Sequence, residues 1–186
     1  MTNDNQLVNE EELPRPGSSL YNLNHPDEAK RIKYLKKFRK LNKYLILPLY
    51  KIRFLPLIGF GSIFLIITTK GRISGKIRKT PLEYHWIDEV ITIFSGRGED
   101  SDWLKNINAN PDDVWVRHGF HSFQARIELL TNENDKLEIA KWYVTNHAKS
   151  AKFLFGWNPK LDDPKTTDFS HLLQTISIIR VYPKTK

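Results

Sequence analysis

Two glycines four residues apart, set in a run of cations, give this sequence its sharpest chemical feature. The string reads Thr68-Thr69-Lys70-Gly71-Arg72-Ile73-Ser74-Gly75-Lys76-Ile77-Arg78-Lys79-Thr80-Pro81-Leu82-Glu83-Tyr84. Gly71 and Gly75 permit a sharp turn whose backbone N–H groups point inward as an anion-binding nest. Lys70, Arg72, Lys76, Arg78 and Lys79 surround it, with the Ser74 hydroxyl as a further donor. Phosphate binding draws on this mixture of backbone donors, forked guanidinium and mobile ammonium. A Walker A loop is excluded, because the glycines are too close and Ile77 follows Lys76 where Ser or Thr is required. The same composition describes a solvated hairpin turn, and both readings stand at this level.

A second stretch, Ser95-Gly96-Arg97-Gly98, runs into Asp102-Trp103-Leu104-Lys105-Asn106-Ile107-Asn108-Ala109-Asn110-Pro111. A glycine here lets backbone approach a planar ligand, and Trp103 either walls that ligand or joins the core. Tyr84, Tyr143 and Trp157 are aromatic groups able to face a substrate, a tyrosine hydroxyl being a possible proton donor. No spacing singles one of them out. His118 and His121 lack a nearby acid, so no metal site is expected. Ser74 has no partnered histidine and no elbow motif, which removes it as a nucleophile.

The elements that must position these groups follow from periodicity. Ile32, Leu35, Phe38, Leu41 and Leu45 recur at spacings of three and four among Lys33, Lys36, Lys37, Arg39, Lys40 and Lys43. That pattern predicts a basic amphipathic helix over about 27–47, stopped or kinked by Pro48. Phe54 to Thr69 is uncharged, but Pro56, Gly59 and Gly61 break it below the length of a membrane span. Its second half, from Ser62, reads as a buried strand. Further strands are expected at Thr80–Trp86, Val90–Ser95, Val114–Arg117, Ser122–Leu130 and Gln174–Tyr182. Helices are expected from Asp102 to Asn108 and from Asn132 to His147, with a possible third within 150–172. Trp86, Phe94 and Trp115 fit either a barrel interior or a nucleic-acid face. Six antiparallel strands with a few helices make a small β-barrel of mainly β or α+β class.

The chain has 186 residues and no cysteine, which excludes disulfides, thiolate metal sites and a cysteine nucleophile. Its net charge of +8 is unevenly spread: residues 1–29 carry −5, residues 30–80 carry +15 with no acid, and residues 81–186 carry −2. The acidic start lacks the pattern of a signal peptide, so an intracellular, cytoplasmic location is expected. Three segments are expected: a mobile acidic tail at 1–24, a basic helical segment at 25–58, and a barrel domain at 59–186. The basic helix is a candidate for peripheral contact with an anionic membrane at its inner face, or for a solvated brace on the barrel.

Taken in order and spacing, the two motif stretches resemble the deazaflavin-dependent nitroreductase and quinone reductase family, over roughly residues 60–130. The resemblance implies a split β-barrel, related to the flavin-binding barrels of pyridoxamine phosphate oxidases. It implies coenzyme F-420, a deazaflavin whose tail carries phosphate and glutamates. The turn Arg72, Ile73, Ser74, Gly75, Lys76 and Ile77, with Arg78, would hold the phosphate. Leu82, Glu83, Ser95 and Gly96 would line the ring, with Trp103 close by. The implied reaction is hydride transfer to a small electron acceptor: a quinone, nitro compound or activated alkene. Ile73, Ile77 and Leu104 depart from the family's usual basic, proline and aromatic residues. FMN in the same barrel is the alternative cofactor, and a non-enzymatic basic module for membrane or nucleic acid is the alternative function.

Overall fold

The computed structural model describes residues 12–51 and 63–184. Six strands form one closed antiparallel barrel in the order β1-β2-β3-β6-β5-β4. They are β1 Phe64–Lys70, β2 Ile77–Ile87, β3 Val90–Ser95, β4 Trp115–His118, β5 His121–Leu129 and β6 Ser177–Pro183. Closure comes from β1 pairing with β4, in a register that sets Ile67 opposite Val116. The β2–β3 hairpin turns on Asp88 and Glu89, both left-handed at φ 51° and 61°. Two successive left-handed residues match the right-handed twist of the flanking strands.

Alternation along the strands sends Leu65, Ile67, Tyr84, Ile93, Val116 and Ile179 into one buried cluster. Helix α4 (Asp102–Ala109) closes this cluster with Trp103, Leu104 and Ile107. A second core forms where helices α5 (Glu133–Asn146), α6 (Ala148–Phe155) and α7 (Ser170–Thr175) cover the outside of the barrel. There Tyr143, Val144, Phe155, Trp157, Phe169 and Leu172 pack with Ile87 and Ile178. Each fully buried side chain of this size contributes about 1.5–3 kcal/mol.

Several expectations change. The mobile tail at 1–24 does not hold for its second half, while 1–11 lie outside the described residues. Leu13 is buried, α1 (Ser19–Leu23) is capped by the Ser18 hydroxyl, and Leu20 enters the helical core. Arg15 fastens this segment through a two-pronged salt bridge to Asp162, both N···O distances being 2.7 Å. Arg15 reads as tail because its partner Asp162 lies 147 positions away.

The basic helix runs as α2 (Glu28–Leu41), a widened π turn (Asn42–Ile46) and α3 (Leu47–Lys51). Pro48 neither stops nor starts it. The widened turn lies directly ahead of the proline, where the ring would otherwise meet the carbonyl of Tyr44. Of the uncharged run 54–69, the part up to Ser62 lies outside the described residues. The region 150–172 holds most of α6, which ends on Gly156 in a left-handed conformation at φ 82°. Gln174 belongs to α7, so the last strand starts later than predicted. Trp86 and Trp115 stand exposed outside the barrel rather than inside it. No helix among the described residues is long and apolar enough to cross a membrane.

Candidate active site

A single cavity of about 1390 Å³ takes in most of the predicted site residues. Strand β2 contributes Leu82 and Glu83, the end of β3 contributes Phe94, Ser95 and Gly96, and α4 contributes Asp102, Trp103 and Asn106. The basic turn contributes Arg72, Ile73, Ser74, Ile77 and Arg78, while Tyr143 closes the α5 side. Leu35, Phe38 and Leu41 of α2 also line it. Part of the apolar stripe therefore faces the cavity, which periodicity alone did not reveal. Gly75 and Lys76 stand outside the lining, in the tip of the turn.

The turn is closed by its own backbone. Gly71 N–H donates to the carbonyl of Lys76 at 2.9 Å, and Gly75 N–H to that of Gly71 at 2.8 Å. Gly75 is left-handed at φ 64°, which explains glycine there. Arg72 N–H donates to Asn106 Oδ1 at 3.1 Å, and Lys76 N–H reaches Ser74 Oγ at 3.4 Å. The expected open nest is thus largely occupied by internal acceptors, so charge for an anion comes from side chains. Arg72 itself bonds Asp102 Oδ1 at 3.2 Å and Asn106 Oδ1 at 3.1 Å, pinning the turn to α4. Asp102 also takes Arg39 of α2 at 2.9 Å. Burial raises the Asp102 carboxyl, but Arg72, Arg39 and Arg97 outweigh it and hold it below the usual range. Among the described residues Arg78 donates to Ser74 Oγ at 3.3 Å, within its own turn.

At the second motif the Ser95 hydroxyl bonds the Gly98 carbonyl at 2.8 Å and the Ser101 hydroxyl at 2.6 Å. A Cβ on Gly96 would collide with a methyl of Leu20. Asn24 donates to the Gly96 carbonyl at 2.7 Å. At the Cβ position of Gly96 the close approach that demands glycine is therefore made by α1. Leu20 and Leu23 form that part of the cavity wall.

Among the proton-donor candidates, Tyr84 lies inside the barrel, its hydroxyl 3.4 Å from His118 Nδ1. Trp157 is fully buried against Phe169. Neither lines the cavity. Tyr143 does, and its hydroxyl donates to Glu83 Oε1 at 3.4 Å. Burial and the Glu83 charge push this hydroxyl far above the ordinary tyrosine range. Sequence reasoning missed His85, whose buried Nε2 lies 3.2 Å from Glu83 Oε1. The signal was present: residues 83 and 85 of one strand share a face. His147 follows, its ring centred 4.3 Å from that of His85. Among the described residues no group of three or more metal-ligating side chains forms, and His118 and His121 remain a ring pair 6.0 Å apart.

The model of the F420H(2)-dependent quinone reductase family matches residues 57–154, more than half of the chain. The chain belongs to that family. The reductase therefore uses coenzyme F-420, the cofactor its family is named for, and its chemistry is oxidoreduction. No curated protein matches it. Similar solved structures include an F420-H2 dependent reductase, FDR-A, 22% identical over 64% of this chain and 93% of its own, with a TM-score of 0.42. A conserved hypothetical protein from Mycobacterium tuberculosis is 16% identical over 67% of this chain and 74% of its own, at 0.46. An FAD-binding protein from Mesorhizobium loti is 17% identical over 66% and 82%, at 0.42.

The residues present fit a deazaflavin with an anionic tail. Six cations line the cavity (Arg39, Lys43, Arg72, Arg78, Lys79 and Arg97) against two carboxylates, Glu83 and Asp102. That excess is a field for phosphate and carboxylate groups. The remainder of the wall, with Leu82, Phe94 and Trp103, is suited to a flat apolar ring.

Proposed function

We propose that this reductase transfers hydride from reduced coenzyme F-420 to a lipophilic quinone, with both ligands held in the one cavity. Its volume carries the reading: about 1390 Å³ exceeds what one drug-sized ligand fills. Arg78 and Lys79 would take the tail phosphate, with Arg72 setting the turn. Leu82, Phe94 and Trp103 would flank the ring. When bound, the reduced deazaflavin supplies the hydride, and the protein supplies orientation and electrostatics. The acceptor would lie toward Leu35, Phe38 and Leu41, an apolar wall that suits a quinone better than a small polar nitro compound.

Tryptophan fluorescence tests cofactor binding, since Trp103 lines the cavity. Reduced F-420 should quench it saturably, and FMN should not. Turnover with a naphthoquinone, a nitroarene and an activated alkene then ranks the acceptors. A preference for the nitroarene, or quenching by FMN alone, would refute the reading.

Peripheral docking on an anionic membrane is part of the same proposal. Ile32, Tyr44 and Leu45 are exposed beside the cations of α2 and the following turn. Each basic residue close to such a surface contributes about 1 kcal/mol. Co-sedimentation with anionic but not neutral vesicles, reversed by salt, supports docking; protein left in the supernatant at low salt refutes it.

A further inference from the structure

A reduced quinone needs a proton as well as a hydride, and the cavity wall holds a chain of groups able to deliver one. Glu83 lines the cavity and is partly exposed to it. Behind it, His85 is nine-tenths buried, and its Nε2 has no hydrogen-bond partner among the described residues. That nitrogen nevertheless lies 3.2 Å from Glu83 Oε1, within ion-pair reach though not aligned as a hydrogen bond. A buried polar atom left unsatisfied is costly, and such atoms persist where they serve a purpose. On its other side the His85 ring meets that of His147 at 4.3 Å. His147 ends α5 and is half-buried, open toward solvent. The other rings against His85 among the described residues are those of Phe94, Trp142 and Tyr143, and the register sets Thr92 opposite it, with Arg180 one strand further on.

We propose that Glu83, His85 and His147 form a proton route from solvent to the acceptor, with Glu83 as the donor at the cavity. The proposal rests on the quinone reductase reading. In the balanced step the quinone takes two electrons and one proton as hydride from the reduced cofactor. One quinone oxygen takes the second proton from the Glu83 carboxyl, giving the quinol. The Glu83 carboxylate regains a proton from His85 Nε2, His85 from His147, and His147 from water. Tyr143 is a positioning residue, donating to Glu83 Oε1 and fixing its rotamer. As a donor it would be a poor one, because its surroundings hold the phenol too weak an acid. His147 suits a carrier: burial and His85 lower its basicity, Glu83 partly restoring it, so it releases a proton readily.

The test uses the full-length protein and has two arms. Histidine titration by NMR, without cofactor, compares wild type with Glu83→Gln. An opposite charge at this range shifts a pKa by about one unit or more. The proposal expects His147, whose basicity Glu83 partly restores, to titrate lower in the variant. Steady-state turnover of reduced F-420 with a soluble naphthoquinone forms the second arm. General acid catalysis contributes about 10²–10⁴-fold. Glu83→Gln should lower kcat by about a hundredfold at pH 8 and by less at pH 6. His147→Gln, at a half-exposed site that tolerates change, should show a smaller loss rescued by added imidazole. An unchanged His147 titration in Glu83→Gln, or a kcat within twofold of wild type across this pH range, would overturn the route. If wild type neither binds nor oxidises reduced F-420, the quinone reductase reading falls, and the NMR arm alone judges the coupling.

Discussion

The bond between Arg15 and Asp162 decides whether residues 12–24 belong to the fold, and its removal has a size that can be worked out. The pair is two-pronged at 2.7 Å on both sides, and Asp162 Oδ2 also accepts the Asn158 N–H at 2.6 Å. Asp162 is 7% exposed and Arg15 21%. Arg15→Ala therefore leaves an almost buried carboxylate with one backbone donor. Breaking a fully buried pair costs about 3–5 kcal/mol, and the partial exposure of Arg15 brings the expectation to about 2–3 kcal/mol. For a chain of this length that lowers the melting temperature by about 5–10 °C. The effect has a pH signature. The Arg15 hydrogen bonds, with help from Asn158, overcome burial and hold the Asp162 carboxyl below its ordinary 3.8. The stabilisation is thus complete above that value and is lost as pH falls through the lower folded one. Urea unfolding from pH 7 down to pH 3 should show the gap between wild type and Arg15→Ala narrowing in acid. A double-mutant cycle with Asp162→Asn should give a coupling above about 1.5 kcal/mol at pH 7. A coupling below about 0.5 kcal/mol, or a gap that does not change with pH, would refute the argument and return this segment to the status of a tail.

Gly96→Ala should destabilise by about 1–3 kcal/mol through its clash with Leu20, measured by thermal melting, and Leu20→Ala should restore part of the loss. Arg78→Ala should weaken F-420 binding about tenfold or more in fluorescence titration, the difference shrinking in high salt, with little change in melting temperature. Arg72→Ala should lower both affinity and melting temperature, because Arg72 also ties the turn to Asp102 and Asn106.

What could be read from the sequence was local. β-branched runs, the short hairpin at Ile87–Val90 and the helix cap at Asn132 carry their own signals within a few residues, and the barrel follows from them. The two motif stretches were also legible, and α4 together with the barrel brings them to one cavity. What could not be read depends on partners far along the chain. Arg15 looks like tail chemistry until Phe155, Gly156 and Asp162 supply its contacts. The stripe on α2 announces an apolar face, but 3.6-residue periodicity carries no information about what that face meets. Glycine at 96 signals a close approach without naming its occupant, since Leu20 and a planar ligand make the same demand on Cβ.

The fifteen cations between residues 30 and 80 pose an electrostatic problem that the fold turns to use. Arg39 and Lys43 of the helical segment and Arg72, Arg78 and Lys79 of the turn stand around one cavity, though some thirty residues separate the two groups. Like charges gathered in this way repel, and Asp102 sits between Arg39 and Arg72 as their shared counter-charge. One carboxylate balances the pair that fixes the geometry and leaves Arg78, Lys79 and Lys43 without equal compensation from the cavity's other acid, Glu83, which lies against Tyr143 and His85. The two carboxylates are thereby set apart: Asp102 holds the basic turn and α2 together, and Glu83 lies against Tyr143 and His85. On the proposed reading an anionic cofactor tail would complete the first arrangement without disturbing the second, so that binding and proton delivery would share one cavity and use different charges.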